Sequence, residues 1–247
     1  MRVSTLLVFE GTEPHRASIE EWFHKQQVPF QSVNAQEFGK REQEIDQWRR
    51  AAEQPVVLDF RWNLALQYGA LSDPVLNQFA TTPESVWILS SSPLLLTAEL
   101  AAALRSPFVA RFNGLPTFFP DAAVVEVMLP DADAAKVSFL EEYFKLLGKE
   151  IEVVGDTVCF TGPRVLAMII NEAYFCLQER VASAEDIDTA MKLGTNYPRG
   201  PVEWGEQIGL DCVCAMLDAL YAYYHQERYR CALLLRRQAV QKNRRMS

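Results

Sequence analysis

His15, His24 and His225 are the only imidazoles in the chain. A general base near neutral pH is therefore one of these or a carboxylate held close to its proton donor. His15 falls in a loop after the first apolar run, where it could bind an anion or accept a proton; we read it as a solvated loop residue. His24 and His225 stand in polar helical patterns and read as surface residues. Ser90, Ser91 and Ser92 close another apolar run, but no G-x-S-x-G turn surrounds them and no base lies nearby in sequence, which argues against a serine hydrolase. Glu126, in Val124-Val-Glu-Val127, could serve as a base or as a solvated or paired carboxylate, and the second reading is preferred. Tyr221, Tyr223, Tyr224 and Tyr229 could line a ligand groove, though such residues more often make core or dimer contacts.

The five cysteines, Cys159, Cys176, Cys212, Cys214 and Cys231, fall in apolar, mostly helical patterns. Cys212 and Cys214, two apart, point to different sides of a helix. Without paired C-x-x-C spacing or clustered histidine, no metal site is expected. The usage fits a reduced, cytoplasmic chain.

These residues must be held by a folded scaffold, and the composition supplies one. Hydrophobic residues make up 49% of the 247 positions and charged residues 23%, enough for an ordinary core and too apolar for disorder. The net charge of −8 argues against nucleic acid, whose binding draws on Lys and Arg to release counterions. The one basic run, Arg236-Arg237 through Lys242-Asn-Arg-Arg245, reads as a solvated helix end complementing the macrodipole. No apolar run reaches the length of a membrane span. The opening residues, acidic by Glu10, predict a buried strand rather than a secretory leader.

Short apolar runs alternate with helical ones through the first part. Strands are expected at Val3–Phe9, Pro29–Val33, Val56–Phe60, Val86–Leu89, Phe108–Phe112, Val124–Leu129 and Ile151–Val154. Helices are expected at Ser18–Gln26, Ala35–Ala52, Thr97–Leu104 and Ala132–Leu147, with a mixed helical stretch running to Phe79. Such alternation predicts an α/β domain with a mostly parallel sheet covered on both faces. After Asp156 only helices are expected: Arg164–Val181 with one apolar stripe, Ala184–Leu193 capped by Ser183 and stopped by Gly194, a helix opened by Pro201, then Asp211–Tyr224 and Tyr229–Lys242. The domains are accordingly placed at 1–158 and 159–247.

The second domain carries a specific pattern. Arg164-Val-Leu-Ala-Met-Ile-Ile-Asn-Glu-Ala173, Val181-Ala-Ser-Ala-Glu-Asp-Ile-Asp-Thr-Ala-Met-Lys-Leu-Gly194, Pro198-Arg-Gly-Pro201, Ile208-Gly-Leu-Asp211 and Tyr229-Arg-Cys-Ala-Leu-Leu-Leu-Arg-Arg237 follow in one order. Together they resemble the C-terminal domain of 3-hydroxyacyl-CoA dehydrogenases. The resemblance implies a Rossmann-like first domain, an all-helical second domain that helps cover an acyl-CoA site, and a homodimer formed through the C-terminal helices. The glycine-rich, aromatic tail usual in the family is absent from the given sequence.

Upstream, the resemblance continues with altered residues. Phe108-Val-Ala-Arg-Phe-Asn-Gly-Leu-Pro116 matches the strand that ends in the family's catalytic histidine, and Asn113 takes the histidine's place. Glu126 corresponds to its orienting glutamate. An asparagine amide cannot accept the hydroxyl proton near neutral pH. Ser90-Ser-Ser-Pro-Leu94 keeps the first hydroxyl of the family's serine-rich strand end, while Pro93 and Leu94 replace substrate-facing serines. Pro163 replaces a substrate-contacting asparagine. The dinucleotide loop reads Phe9-Glu-Gly-Thr-Glu-Pro14, with only Gly11 in register for G-x-G-x-x-G and acidic residues where diphosphate would sit. Asn34 stands where an acidic residue would bind the ribose.

The expectation is thus a divergent 3-hydroxyacyl-CoA dehydrogenase-like protein, with Glu126, Asn113 and Ser90 at the catalytic positions and Gly11 and Asn34 at those of NAD. It is expected to lack standard NAD-dependent oxidation and to take an acyl-CoA or other acyl ligand between its domains. An active dehydrogenase with an atypical site, and a non-catalytic partner of an active relative, are the alternatives.

Overall fold

The computed structural model describes residues 3–9, 14–62, 73–80, 86–115 and 118–246. The chain divides into two compact units, Met1–Thr157 and Val158–Ser247.

The first unit is built on a seven-stranded sheet in the order β2-β1-β3-β4-β5-β6-β7. Its strands are β1 (Val3–Phe9), β2 (Phe30–Asn34), β3 (Gln54–Asp59), β4 (Trp87–Ser90), β5 (Val109–Phe112), β6 (Val124–Met128) and β7 (Glu150–Val153). All neighbouring strands run parallel except β5 and β6. Alternate side chains of a strand point to opposite faces, and in the central strands both faces are buried. Leu7 and Phe9 join one apolar cluster with Val56, Leu58 and Phe112, whereas Leu6 and Val8 join another with Val57, Ile88 and Val109. Burial on both faces is why these strands read as continuous apolar runs. The helices are α1 (Pro14–Lys25), α2 (Glu42–Ala51), α3 (Pro74–Ala80), α4 (Thr97–Leu104) and α5 (Ala134–Leu146).

One expected helix is two elements. Over Ala35–Ala52 the chain first makes a 3-10 helix, Ala35–Arg41, and only then α2. Asn34 explains the start: its side-chain oxygen accepts from the Gln36 N–H at 2.9 Å and tightens the first turn. Arg41, at φ −114° and ψ 13°, then breaks the regular path. The helix expected from Ser18 begins four residues earlier, at Pro14, where a missing N–H leaves nothing unpaired. Part of the mixed stretch before Phe79 lies outside the described residues.

The second unit is helical throughout: α6 (Thr161–Gln178), α7 (Ala184–Thr195), α8 (Pro201–Ile208), α9 (Leu210–Tyr224) and α10 (Leu233–Met246). Ser183 caps α7, accepting from the Asp186 N–H at 3.1 Å, and Pro201 opens α8. The stop of α7 falls two residues beyond Gly194. Asn196 takes the left-handed conformation, φ 56°, which a short amide side chain tolerates. The final helix begins at Leu233 rather than Tyr229, because Glu227–Tyr229 forms a separate 3-10 turn. Among the described residues, no helix is long and apolar enough to cross a membrane.

Candidate functional site

In an open parallel sheet, ligands bind beyond the carboxyl ends of the strands, where the order reverses direction. Here that point lies between β1 and β3, which flank each other in the sheet. Phe9 ends β1, and its ring stacks on Phe60 with centroids 5.4 Å apart and 9° between planes. Phe60 in turn meets Phe112 and Phe119 edge-on, each at 5.4 Å. The Arg16 guanidinium lies 5.6 Å from the Phe9 ring centroid. Both stacked rings are buried. A dinucleotide needs bare backbone at this strand end so that N–H groups can approach diphosphate; an aromatic side chain stands there instead.

Asn34 is placed at the end of β2, in register with Phe9. It is buried, and the oxygen that would face a ribose caps the 3-10 helix. Gly11 lies outside the described residues, as does the side chain of His15. His24 and His225 are exposed, as expected.

The structure brings Asn113 and Glu126 together. The Asn113 backbone N–H donates to the Glu126 carbonyl at 2.9 Å, and its Nδ2 donates to Glu126 Oε2 at 3.2 Å. The antiparallel pairing of β5 and β6 sets this meeting. Asn113 also sits at the centre of a tight turn, with the Gly114 N–H donating to the Phe112 carbonyl at 2.8 Å. A Cβ at Gly114 would lie 2.5 Å from the Phe112 ring and 2.7 Å from Ser91 Cβ, so only glycine allows this close approach. The Oδ1 of Asn113 is buried without a hydrogen-bond partner. The pair therefore offers a carboxylate, an amide donor spent on it, and one vacant acceptor; it has no imidazole to take a proton.

Ser90 is not presented to a ligand. It is fully buried, pairs in register with Arg111, and its Oγ accepts from the Ser92 N–H at 3.2 Å. The Ser92 hydroxyl donates to the Trp62 carbonyl at 3.0 Å. The serine run at this strand end thus serves turn formation. Pro163 lies buried in the first turn of α6, where proline is well tolerated.

Sequence reasoning missed a polar knot beside these residues. Arg111, fully buried, donates through Nε to Thr97 Oγ1 at 3.0 Å and through Nη1 to the Ser92 carbonyl at 3.1 Å. Its Nη2 reaches Asp156 Oδ1 at 3.2 Å and the Thr157 carbonyl at 2.5 Å. Asp156 also accepts from the Thr97 and Ala98 N–H groups at 2.7 and 2.8 Å, capping α4 from 58 residues away in sequence. A second knot lies past β3: Arg61 pairs with buried Asp59 at 2.7 Å and with Asp73 at 2.6 Å. Burial pushes the Asp59 carboxyl up, and the Arg61 charge pulls against it. Charged residues inside an apolar run, such as Arg111 in Val109–Phe112, were the available signal, since a buried charge implies a partner.

In the helical unit the patterned residues have packing roles. Asp188 accepts from the Val202 and Glu203 N–H groups at 2.8 and 3.0 Å, capping α8. A Cβ on Gly200 would lie 2.1 Å from the Asp188 carboxyl carbon, so the glycine lets the cap approach. Buried Asn171 donates to the Arg230 carbonyl at 2.9 Å and accepts from the Ala232 N–H at 2.8 Å. Between α6, α7 and α8 runs an apolar trough of about 430 Å3, lined by Val165, Met168, Ile169, Cys176, Ile187 and Met191. Leu193 stands 83% exposed on α7.

The family model for the 3-hydroxyacyl-CoA dehydrogenase C-terminal domain matches residues 160–246, the stretch that holds these caps and glycines. The chain thus resembles 3-hydroxyacyl-CoA dehydrogenases through its helical unit. It is 43% identical over 111 residues to a 3-hydroxyadipyl-CoA dehydrogenase of Escherichia coli, a match spanning 45% of this chain and 23% of that protein. It is 35% identical over 158 residues to a 3-hydroxybutyryl-CoA dehydrogenase of Bradyrhizobium diazoefficiens, spanning 62% of this chain and 53% of that protein. The chain therefore matches about half or less of these curated relatives' length. Among solved structures, the (S)-3-hydroxybutyryl-CoA dehydrogenase of Ralstonia eutropha has the same fold, with a TM-score of 0.70 at 24% identity over 95% of this chain and 92% of that one.

3-Hydroxyacyl-CoA dehydrogenases are NAD-dependent, so the resemblance implies NAD as the cofactor to be tested against these residues. Phe9 and Asn34 do not fit that cofactor, the first filling the strand end with a ring and the second spending its acceptor on a cap. No cluster of metal-ligating side chains occurs among the described residues.

Proposed function

We propose that this 3-hydroxyacyl-CoA dehydrogenase-like protein does not carry out standard NAD-dependent oxidation and acts as an acyl-CoA-binding or regulatory protein. The observation that carries the reading is the stack of Phe9 on Phe60 at the switch point of the sheet. Asn113 supports it, since an amide replaces the base beside Glu126, and loss of a general base alone costs about 10²–10⁴-fold in rate. The vacant Asn113 Oδ1 leaves a buried acceptor for a ligand donor. The apolar trough and the exposed Leu193 support a homodimer formed through the helical unit. A cytoplasmic setting fits five free cysteines.

One second reading has its own support. The curated relatives carry the names of dehydrogenases, and the Asn113–Glu126 contact keeps a carboxylate at the expected place. In that reading the chain oxidises hydroxyacyl-CoA through an atypical site. NADH and acetoacetyl-CoA titrated into the purified chain separate the two. Acyl-CoA binding without saturable NADH binding supports the proposal, and NADH binding with turnover overturns it. Recovery of mixed subunits from native lysate, with no ligand bound, marks the chain as an interaction partner of an active relative.

A further inference from the structure

A pair of cysteines in the helical unit belongs to none of this. Cys214 on α9 and Cys231, in the segment before α10, hold their sulfurs 3.6 Å apart. Both are free thiols; Cys214 is buried and Cys231 partly exposed. The approach is held from both sides of Cys231. Asn171 fixes the carbonyl of Arg230 before it and the N–H of Ala232 after it, so the backbone that carries Cys231 is clamped onto α6. Closing the sulfurs from 3.6 Å to the roughly 2 Å of a disulfide is a displacement of about 1.5 Å.

We infer that Cys214 and Cys231 form a reversible dithiol–disulfide site, a modification site for low-molecular-weight disulfides of the glutathione class. The two sulfurs differ as such a site requires. The contact with Cys214 lowers the Cys231 thiol, aided by the nearby Arg236 guanidinium and opposed by burial and Asp218, while the same contact and burial push Cys214 up. Cys231, the more exposed residue of the pair, is the attacking thiolate. It displaces one thiolate from the small disulfide and forms a mixed disulfide. Cys214 then gives up its proton to solvent, attacks the Cys231 sulfur and releases the second thiolate. The protein thiols lose two electrons and two protons, and the small disulfide takes them up as two thiols.

The bond closes a loop across 17 positions that contains the end of α9, the left-handed His225 and the turn at Tyr229. Oxidation therefore adds a covalent tie between α9 and the segment before α10, and reduction removes that tie while the Asn171 hydrogen bonds remain. Cytosolic disulfides of this kind are transient and redox-sensing.

The test uses the full native chain in glutathione buffers of stepped oxidised-to-reduced ratio, quenched with a thiol alkylator, digested and weighed. The expected product is a Cys214–Cys231 linked peptide, lighter by two hydrogens, whose share rises with the oxidised fraction and reverts with reductant. Cys159, Cys176 and Cys212 are expected to stay alkylated. Cys231→Ser is expected to abolish the link and Cys176→Ser to leave it unchanged, each with native circular dichroism. Full alkylation of both cysteines at every ratio overturns the inference in the unaltered chain, whatever the variants do. So does a glutathione adduct at Cys231 that never proceeds to the link.

Discussion

Phe9 and Phe60 lie face to face, 5.4 Å apart and 9° from parallel, at the strand ends where a Rossmann-like sheet receives its dinucleotide. The stack is part of the core as well as an obstacle. Both rings belong to the apolar cluster that includes Phe112 and Phe119. Removing a buried phenyl ring costs about 3–5 kcal/mol through lost transfer energy and the cavity left behind. Phe9→Ala is therefore expected to lose about 3 kcal/mol in urea unfolding, without gaining NADH binding by fluorescence titration. Unchanged stability would show that the ring is not packed as described.

Asn113→His tests how much of the chemistry hangs on one side chain. The substitution returns an imidazole to a position 3.2 Å from Glu126, and a positioned base contributes about 10²–10⁴-fold. Because Phe9 still occupies the cofactor's strand end, turnover of acetoacetyl-CoA with NADH is expected to stay at background. A rise of about 100-fold over the unaltered chain would mean that only the base was missing.

The Asp156 carboxylate joins two structural tasks, capping α4 and answering the fully buried Arg111. Breaking a buried pair by removing one partner costs about 3–5 kcal/mol, since the other charge is left in the core. Asp156→Ala is expected to fall in that range by chemical denaturation, and Asp156→Asn to lose less because one oxygen still caps the helix. A loss below about 1 kcal/mol would place the pair among surface-like ion pairs.

The sequence made the strands and helices legible because burial on both faces of a parallel sheet writes apolar runs, and amphipathic helices write a stripe. Boundaries slipped where a local side chain decided them: Asn34 tightened a 3-10 turn, and Asn196 rather than Gly194 took the left-handed stop. The site was legible one residue at a time. Asn113 and Glu126, named separately from the resemblance, are joined in the structure by a 3.2 Å hydrogen bond. The stack of Phe9 on Phe60, the Arg111–Asp156 knot and the Cys214–Cys231 contact were not expected. Each joins residues 17 or more positions apart, and no periodicity within one element encodes such a meeting. Gly200 shows the same limit: its place in a motif was evident, but the reason, a carboxylate 2.1 Å from any added Cβ, is tertiary.

Lys149 gives the fold a dependence on alkaline pH. Its ammonium sits 4.7 Å from the Trp22 ring and 4.8 Å from that of Phe119, and it donates to the carbonyls of Pro120 and Ala122 at 3.3 and 2.6 Å. Burial lowers its pKa to about 8, with the Asp121 charge opposing. An unfolded lysine titrates near 10.5. Below about 8 both states are protonated, and the cost of burying the charge is borne in full. From about 8 to 10.5 the unfolded chain holds the extra proton, so stability rises with pH over that window. The gain expected is about 1–2 kcal/mol, since carbonyl contacts and solvent screen part of the burial. Urea unfolding from pH 7 to 11, read as the difference between the unaltered chain and Lys149→Met, isolates this group from the other lysines and tyrosines. The unaltered chain should gain on the variant as pH rises; a flat difference would assign Lys149 the ordinary pKa of an exposed amine.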